Sequence, residues 1–294
     1  MRALVTGAAG FLGRHVVEHL RRDGLDTTGF DLRPTTAEGS SFVEGDLLDL
    51  DHLTWAARAH EVICHIGAIG DVYLAAERPA LAAAVNVTGS ANVAEAARRV
   101  GARVVYASTW EVYGRPRYEP IDEDHPQEPD HPYNITKLAG ERLLLAADRL
   151  QDVPVLALRL GTAYGTGLRP NSVFRIFIDR ARRGEPIVIQ GDGSQARQFT
   201  HAADIARAFS LACRSELRGL PLNVVAPDPI SIKQLAELVV ERFPTEVVFG
   251  PSRAGDVPPA LVSPERARRL LGWKASVPFE HGLSELMDAV ELEG

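Results

Sequence analysis

The chain has 294 residues, 45% of them hydrophobic and 24% charged, an ordinary globular balance with ample length for one large domain or two smaller ones. A formal net charge of −7 argues against nucleic acid as a partner, and no apolar run reaches the ~18 residues of a membrane span. Strand and helix begin at residue 2, without a signal peptide, and Cys64 and Cys213 offer no disulfide framework, so the expected setting is the reducing cytoplasm.

Residues 2–5 read as a short buried strand, and 11–22 as a helix with Leu12, Val16 and Leu20 on one face. Gly7, Gly10 and Gly13 fall on the turn between them. In a dinucleotide site one such glycine permits the tight turn, one lets the backbone approach a pyrophosphate, and one lets the helix pack closely on the strand. The helix start adds unpaired N–H groups and the positive end of a dipole. A second strand over 27–30 leads into Asp31, whose carboxylate can accept hydrogen bonds from ribose hydroxyls and favours NAD over NADP. Arg33, two residues on, can accommodate a 2′-phosphate and leaves NADP open.

Further strands are expected near 41–43, 61–66, 103–107 and 155–160, and helices near 50–58, 79–99 and 132–149. This alternation predicts parallel strands joined by right-handed crossovers, helices on both faces, and functional residues at the carboxyl ends of the strands. The alanine-rich helix 79–99 starts at Pro79 and, with the next helix, offers a flat face to a second subunit or to the core. After residue 160 prolines and glycines punctuate the chain; helices over 171–183, 231–242 and 264–271 predict a lid above the strand ends, and a helix over 202–212 returns to the first domain. The expected class is therefore α/β, a Rossmann-type doubly wound parallel sheet with a smaller α/β substrate-binding domain. The sheet domain takes 1–160 with a return segment over 200–222, and the smaller domain takes 161–199 and 223–294.

Tyr133 and Lys137 stand four apart on the helix over 132–149 and share a face. A free tyrosine, with a pKa near ~10, is a poor base at neutral pH. A nearby ammonium and a cationic nicotinamide ring each favour the phenolate. Such a tyrosine can take a proton from a hydroxyl while the ring takes the hydride. The strand over 103–107 ends in Ser108-Thr109-Trp110-Glu111-Val112-Tyr113-Gly114, which places hydroxyls at a strand's carboxyl end. Nine histidines show no metal-ligand spacing, so no metal is expected.

Along nearly its whole length the chain resembles the extended short-chain dehydrogenase/reductase superfamily, specifically its nucleotide-sugar epimerase/dehydratase family. The resemblance runs through Thr6 to Gly13, Gly45-Asp46-Leu47, His65 to Ala68, Asn86 to Ser90, Ser108 to Gly114, Tyr133 to Lys137, Tyr164-Gly165, Arg169-Pro170-Asn171, and Gly191 to Gln195 with Arg197. It implies that Tyr133 is the catalytic base, that Lys137 holds the nicotinamide ribose and tunes Tyr133, and that Thr109 bonds the reacting hydroxyl. It implies a cofactor lined by Gly7, Gly10, Phe11, Leu12, Gly13, Asp31, Leu32, Arg33, Asp46, Leu47, Ile66, Gly67, Ala68, Asn86, Ala107 and Ala163. Asn86 reads equally as a buried helix-bend residue, and His65 as structural. Thr109, Thr162, Asn171, Val173, Gln190, Arg197, Arg253 and Asp256 would contact the nucleotide sugar, the two arginines as anchors of its diphosphate. A homodimer is the family habit.

Several positions depart from the family pattern. Thr162 stands where asparagine is usual, Gln198 and Ser263 replace common aspartates, and Gly70 falls where a long polar side chain is frequent. Trp110 removes the acid that 4,6-dehydratases place before Glu111, since indole cannot donate a proton in that way. Glu111 is left either as a catalytic group or as a loop support. The reading is NAD-dependent 4-epimerisation of a nucleotide-diphosphate sugar, with a UDP-sugar expected, through a transient 4-keto intermediate. UDP-glucuronate decarboxylation from the same intermediate, net reduction of a keto sugar by NADPH, and a non-catalytic NAD-binding regulatory module are the alternatives.

Overall fold

The computed structural model describes residues 1–34, 41–251 and 260–293. Its first half alternates as the pattern predicts: β1 (Arg2–Thr6), α1 (Phe11–Arg22), β2 (Asp26–Asp31), β3 (Ser41–Glu44), α2 (Leu50–Ala57) and β4 (Val62–His65). There follow α3 (Val72–Glu77), α4 (Pro79–Ala83), a π turn (Ala84–Thr88), α5 (Gly89–Val100), β5 (Arg103–Thr109), a 3-10 turn (Trp110–Tyr113), α6 (Pro132–Gln151) and β6 (Val155–Leu160). The second half is shorter-grained: β7 (Thr162–Tyr164), α7 (Val173–Arg182), β8 (Ile187–Gln190), β9 (Ala196–Arg197), β10 (Phe199–His201), α8 (Ala202–Arg214) and β11 (Leu220–Val224). It closes with β12 (Ile230–Ser231), α9 (Ile232–Arg242), β13 (Val247–Gly250), α10 (Glu265–Leu271) and α11 (Phe279–Leu292).

Seven strands form one parallel sheet in the order β11-β6-β5-β4-β1-β2-β3. Every residue of β4 and β6 is buried, as expected of strands covered on both faces. On one face α1 and α8 pack together, with Val16, Leu20, Ile205 and Phe209 meeting Val5, Val105 and Leu158. On the other, Leu53, Val93, Ala97 and Leu144 from α2, α5 and α6 meet Leu4, Ile63 and Val104. The connection order reverses beside β1, which lies between β2 and β4, and so opens a crevice at their carboxyl ends.

A third core belongs to the smaller elements. Tyr164, Phe174 and Phe199 pack with Ile187, Ile189, Leu235, Leu283 and Leu286. The rings of Tyr164 and Phe174 stack at 5.2 Å. This cluster lies on β7, β8, β10, α7, α9 and α11, and Phe11 of α1 packs against it from the sheet side.

Three expectations change. The helix over 79–99 is broken by the π turn, where buried Asn86 turns its amide onto the backbone of Ile69 and onto Thr136. Helices α3 and α11 and edge strand β11 went unread. Part of the run assigned to the smaller unit packs on the sheet instead: Ala267, Leu271 and Trp273 join the α1/α8 core, and the Trp273 indole donates to the Asp204 carbonyl at 2.8 Å.

The turn after β1 depends on backbone touching backbone. Gly7 has φ +71, and a Cβ there would fall 2.6 Å from Gly67 Cα. A Cβ on Gly13 would fall 2.0 Å from the Gly7 carbonyl oxygen. Gly13→Ala is therefore expected to destabilise the fold by about 3 kcal/mol or more, because neither partner is a side chain that can rotate away. Urea unfolding of the cofactor-free protein measures it.

Candidate active site

The crevice beside β1 has a helix end left open toward it. Helices α2, α3, α7 and α9 are capped by the side chains of Asp49, Asp71, Ser172 and Ser231, but α1 begins at Gly10 with no side-chain cap. Its first-turn amides are thus free for an anion. A Cβ on Gly10 would meet only the Gly7 carbonyl oxygen, at 3.1 Å, a tight contact but well short of the overlaps at its two neighbours. Asp31 ends β2 and accepts from the amides of Ala9, at 3.1 Å, and Arg33, at 3.3 Å, which brings its carboxylate beside the glycine turn. Leu32 and Arg33 are exposed next to it.

The walls follow from neighbouring strands. Asp46 turns onto the Leu48 amide, and buried Leu47 packs against Gly67 and Gly89. The Thr6 hydroxyl accepts from the amides of Ile66 and Gly67, at 3.2 Å each, which fixes the loop continuing to Ala68. Asn86 holds the Ile69 end of that loop, so its support role stands and no free amide remains for a ligand. Ala107 of β5 is buried in the core, while Ala163 of β7 and Leu12 of α1 are partly buried against it. His65 lies between Thr6 and Ser90, and burial, helped by Lys137, pushes it down to about 3; it is a neutral structural residue. An uncapped dipole, a glycine at its start and an acidic strand end suit a dinucleotide. NAD fits: Gly10 would face its pyrophosphate and Asp31 its adenosine ribose.

Thr109, Glu111 and Tyr133 meet at the carboxyl end of β5, and Lys137 follows one turn further along α6 with its ammonium over the Tyr106 ring. Thr109 is buried, caps the 3-10 turn by accepting from the Glu111 amide at 3.2 Å, and lies near enough to the Tyr133 phenol to lower it. Pro132 opens α6, and His131 caps it by accepting from the Tyr133 amide, which fixes where Tyr133 begins. Without cofactor the phenol is pushed well above its usual value, first by burial and then by the Glu111 carboxylate, against Thr109 and Arg169, which lower it. The expectation of a phenol already lowered in place is thus corrected: desolvation dominates until a further positive charge arrives. Lys137 is pushed down to about 7 by burial, opposed by Glu141. Glu111 is pushed up by burial, and Arg197 opposes this.

Around this centre the expected substrate residues divide. Arg197 of β9 acts on Glu111, and Thr162 starts β7. Asn171 donates to Asp71 across the crevice at 3.0 Å. Val173 starts α7 and packs into the third core, and Gln190, at the end of β8, is exposed. Arg253 and Asp256 lie outside the described residues. Arg169 escaped the sequence reading as a site residue: it pairs with Asp71 at 3.3 Å and its charge reaches the Tyr133 phenol. A lone arginine in a turn carries no periodic signal that could have marked it. Trp110 packs with Val112, Tyr113, Ile121 and Leu138, so the residue replacing the dehydratase acid is core. Gln198 donates to the carbonyls of Ala226, Pro227 and Val262, contacts a carboxylate could not make.

Two outcomes follow. Gly10→Ala is expected to leave unfolding free energy within about 1 kcal/mol while weakening NAD binding at least tenfold, read by calorimetric titration. Lys137→Met should raise the melting temperature of the cofactor-free protein at pH 7 by roughly 2–4 °C. The sign comes from linkage: the native lysine, at about 7, binds fewer protons than the unfolded one, at 10.5, so native stability rises with pH across that window. The gap between variant and parent should therefore narrow as pH rises toward 10, and a constant gap would contradict this account.

The family model of the NAD dependent epimerase/dehydratase family matches residues 3–224. A UDP-glucose 4-epimerase of Mycolicibacterium smegmatis is 34% identical over 306 residues, 98% of this chain and 98% of that one. The structure of MoeE5 in complex with UDP-glucuronic acid and NAD superposes with a TM-score of 0.92 at 33% identity, covering 100% of both chains. The UDP-glucose 4-epimerase of Thermotoga maritima with UDP-glucose gives 0.93 at 29% identity, covering 100% and 99%. A family match running from β1 to β11, with relatives alike along the whole length, means that this chain belongs to the NAD-dependent epimerase/dehydratase family.

Proposed function

We propose that the protein is a NAD-dependent epimerase that inverts carbon 4 of a UDP-sugar, with Tyr133 moving the proton of the 4-hydroxyl. The carrying observation is that buried Thr109, at the end of β5, lies near enough to the half-buried Tyr133 phenol to lower it, with Lys137 one turn further along α6. NAD, which the α1 start at Gly10 and Asp31 would hold, would supply reversible hydride acceptance at carbon 4, with inversion arising when the keto sugar turns before the hydride comes back. Thr109 and Tyr133 hold the oxygen on that carbon between them. Tyr133 takes its proton on oxidation and gives it back on reduction. The phenol is protonated until Lys137 and the cationic ring lie near it together, which ties proton abstraction to a loaded site. Arg197, with Arg253, anchors the diphosphate by forked hydrogen bonds. The third core, with Tyr164, Phe174 and Phe199, builds the cover that keeps water from the keto sugar.

Arg169 favours a sugar that carries a carboxylate at carbon 6, because its charge lies within reach of the reacting centre. Under this reading the 4-keto intermediate is a β-keto acid, and loss of carbon dioxide is the competing outcome. Relatives acting on uronates, among them a UDP-glucuronic acid 4-epimerase of Bacillus cereus, support it. We also propose a homodimer in the cytoplasm. Ile135, Leu143 and Leu150 are exposed along one stripe of α6, and a second copy would cover them. No helix among the described residues is long and apolar enough to cross a membrane.

Incubation with UDP-glucose, UDP-glucuronate and UDP-N-acetylglucosamine, read by NMR, should show inversion at carbon 4. Tyr133→Phe should lower turnover about 100- to 10,000-fold with bound NAD retained; unchanged turnover would remove Tyr133 from the mechanism. Arg169→Met should lower kcat/KM for UDP-glucuronate at least about tenfold and that for UDP-glucose little. Leu143→Glu should convert the dimer to monomer by light scattering.

A further inference from the structure

Tyr133, Lys137 and Glu141 follow one another at four-residue spacing on α6 and share a face. Lys137 is 3% exposed, and its ammonium stands 4.2 Å above the centre of the Tyr106 ring on β5. The Tyr106 hydroxyl donates to the carbonyl of Lys137 at 3.2 Å. One buried side chain therefore grips this lysine at both ends, backbone and ammonium. One turn further, Glu141 is 1% exposed, accepts from Ser108 at 2.5 Å, and pairs with the guanidinium of Arg159 at 2.6 Å. Ser108 immediately precedes Thr109, so Glu141 fastens α6 to the strand that carries the other reacting hydroxyl. The crevice itself is lined by other residues.

We propose that Tyr106 and Glu141 are positioning residues for Lys137: the Tyr106 ring seats the ammonium, and the Glu141 carboxylate supplies the negative field that keeps it charged in a dry site. This rests on the reading that Lys137 serves the reacting centre. The groups facing Lys137 are Glu141 on α6, Tyr106 on β5 and His65 on β4, and Tyr133 stands one turn before it on the same helix face. The π turn and α5 bring Asn86 and Ser90 to this face, and both are uncharged. His65 is neutral, and burial keeps both tyrosines protonated. Arg159 lies beyond Glu141 and is spent on it. Glu141 is thus the facing group whose charge opposes that of Lys137. With Lys137 pushed down to about 7, its charge at neutral pH is marginal and sensitive to that field.

The test is the pH dependence of kcat/KM of the NAD-loaded enzyme for its UDP-sugar. Activity needs charged Lys137, so the alkaline limb reports loss of its proton. Glu141→Gln should move that limb to lower pH by about one unit or more. Tyr106→Leu should move it the same way and lower kcat, with KM within about twofold. Tyr106→Phe keeps the ring and should restore both limb and kcat, a rescue that a merely structural role would not predict. Glu141→Gln leaves Arg159 unpaired in the core and can fail to fold. The double variant Glu141→Gln/Arg159→Met removes both charges together and should show the same shift; if neither folds, the Tyr106 pair decides. An unmoved limb in folded, NAD-containing variants overturns the proposal. Lys137→Met separates it from the reading beneath: wild-type turnover there would defeat the role of Lys137 itself, whereas an inactive Lys137→Met with an unmoved limb in the others defeats only the positioning.

Discussion

At the carboxyl end of β1 three stretches of main chain meet with no side chain between them. Gly13 of α1 lies against the Gly7 carbonyl, and Gly7 lies against Gly67 in the loop after β4. This contact sets the height of α1 over the sheet and the position of the loop that borders the crevice. The uncapped amides of α1, the Asp31 carboxylate bonded to Ala9, and the Thr6 hydroxyl holding Ile66 and Gly67 all take their places from it. A site for a dinucleotide is built here from missing atoms as much as from present ones.

The second constraint is charge out of water. α6 carries Lys137 and Glu141 into the interior, and β6 carries Arg159. Each would be strongly unfavourable alone, and breaking a buried pair typically costs about 3–5 kcal/mol. Glu141 is satisfied by Arg159 and Ser108, and Arg159 also donates to Tyr113 at 2.8 Å. Tyr113 in turn donates to Asn223 on β11. The result is a continuous polar seam from α6 through β5 and β6 to the sheet edge, next to Thr109 and Tyr133. It holds Thr109 and Tyr133 in register, while burial shifts both Lys137 and Tyr133 toward their neutral forms.

The smaller elements close over the crevice through an aromatic core rather than a sheet, since their strands are two to four residues long and pair only in twos. Phe11 of α1 packs into that core, and His15 bonds the Thr166 carbonyl at 2.9 Å. Asp71 meets Asn171 and Arg169 from the opposite wall. Helix α1 is thereby tied both to the sheet and to the smaller elements, and contacts from both sides of the crevice converge on the 166–171 segment.

Much of this was legible before any fold was seen. Residues 2–160 were, because a strand buried on both faces is a short apolar run and an amphipathic helix repeats near 3.6, and both signals are local. The glycine spacing, Asp31, and the order Thr109, Tyr133, Lys137 were legible for the same reason: each is a short motif on one element. The break of the helix at Asn86 was not, because alanines on either side carry full helical propensity and only the partners of Asn86, at Ile69 and Thr136, favour the π turn. Nor were α11, the seating of Trp273 on the sheet, the reach of Arg169, or the pairing of Glu141 with Arg159. The chain alone determined the alternation of strand and helix through the first half, and so the fold class, and it placed Thr109, Tyr133 and Lys137 on neighbouring elements. Tertiary structure decided which charges are buried together and how far they shift, because desolvation and ion pairing depend on distances between segments far apart in the chain.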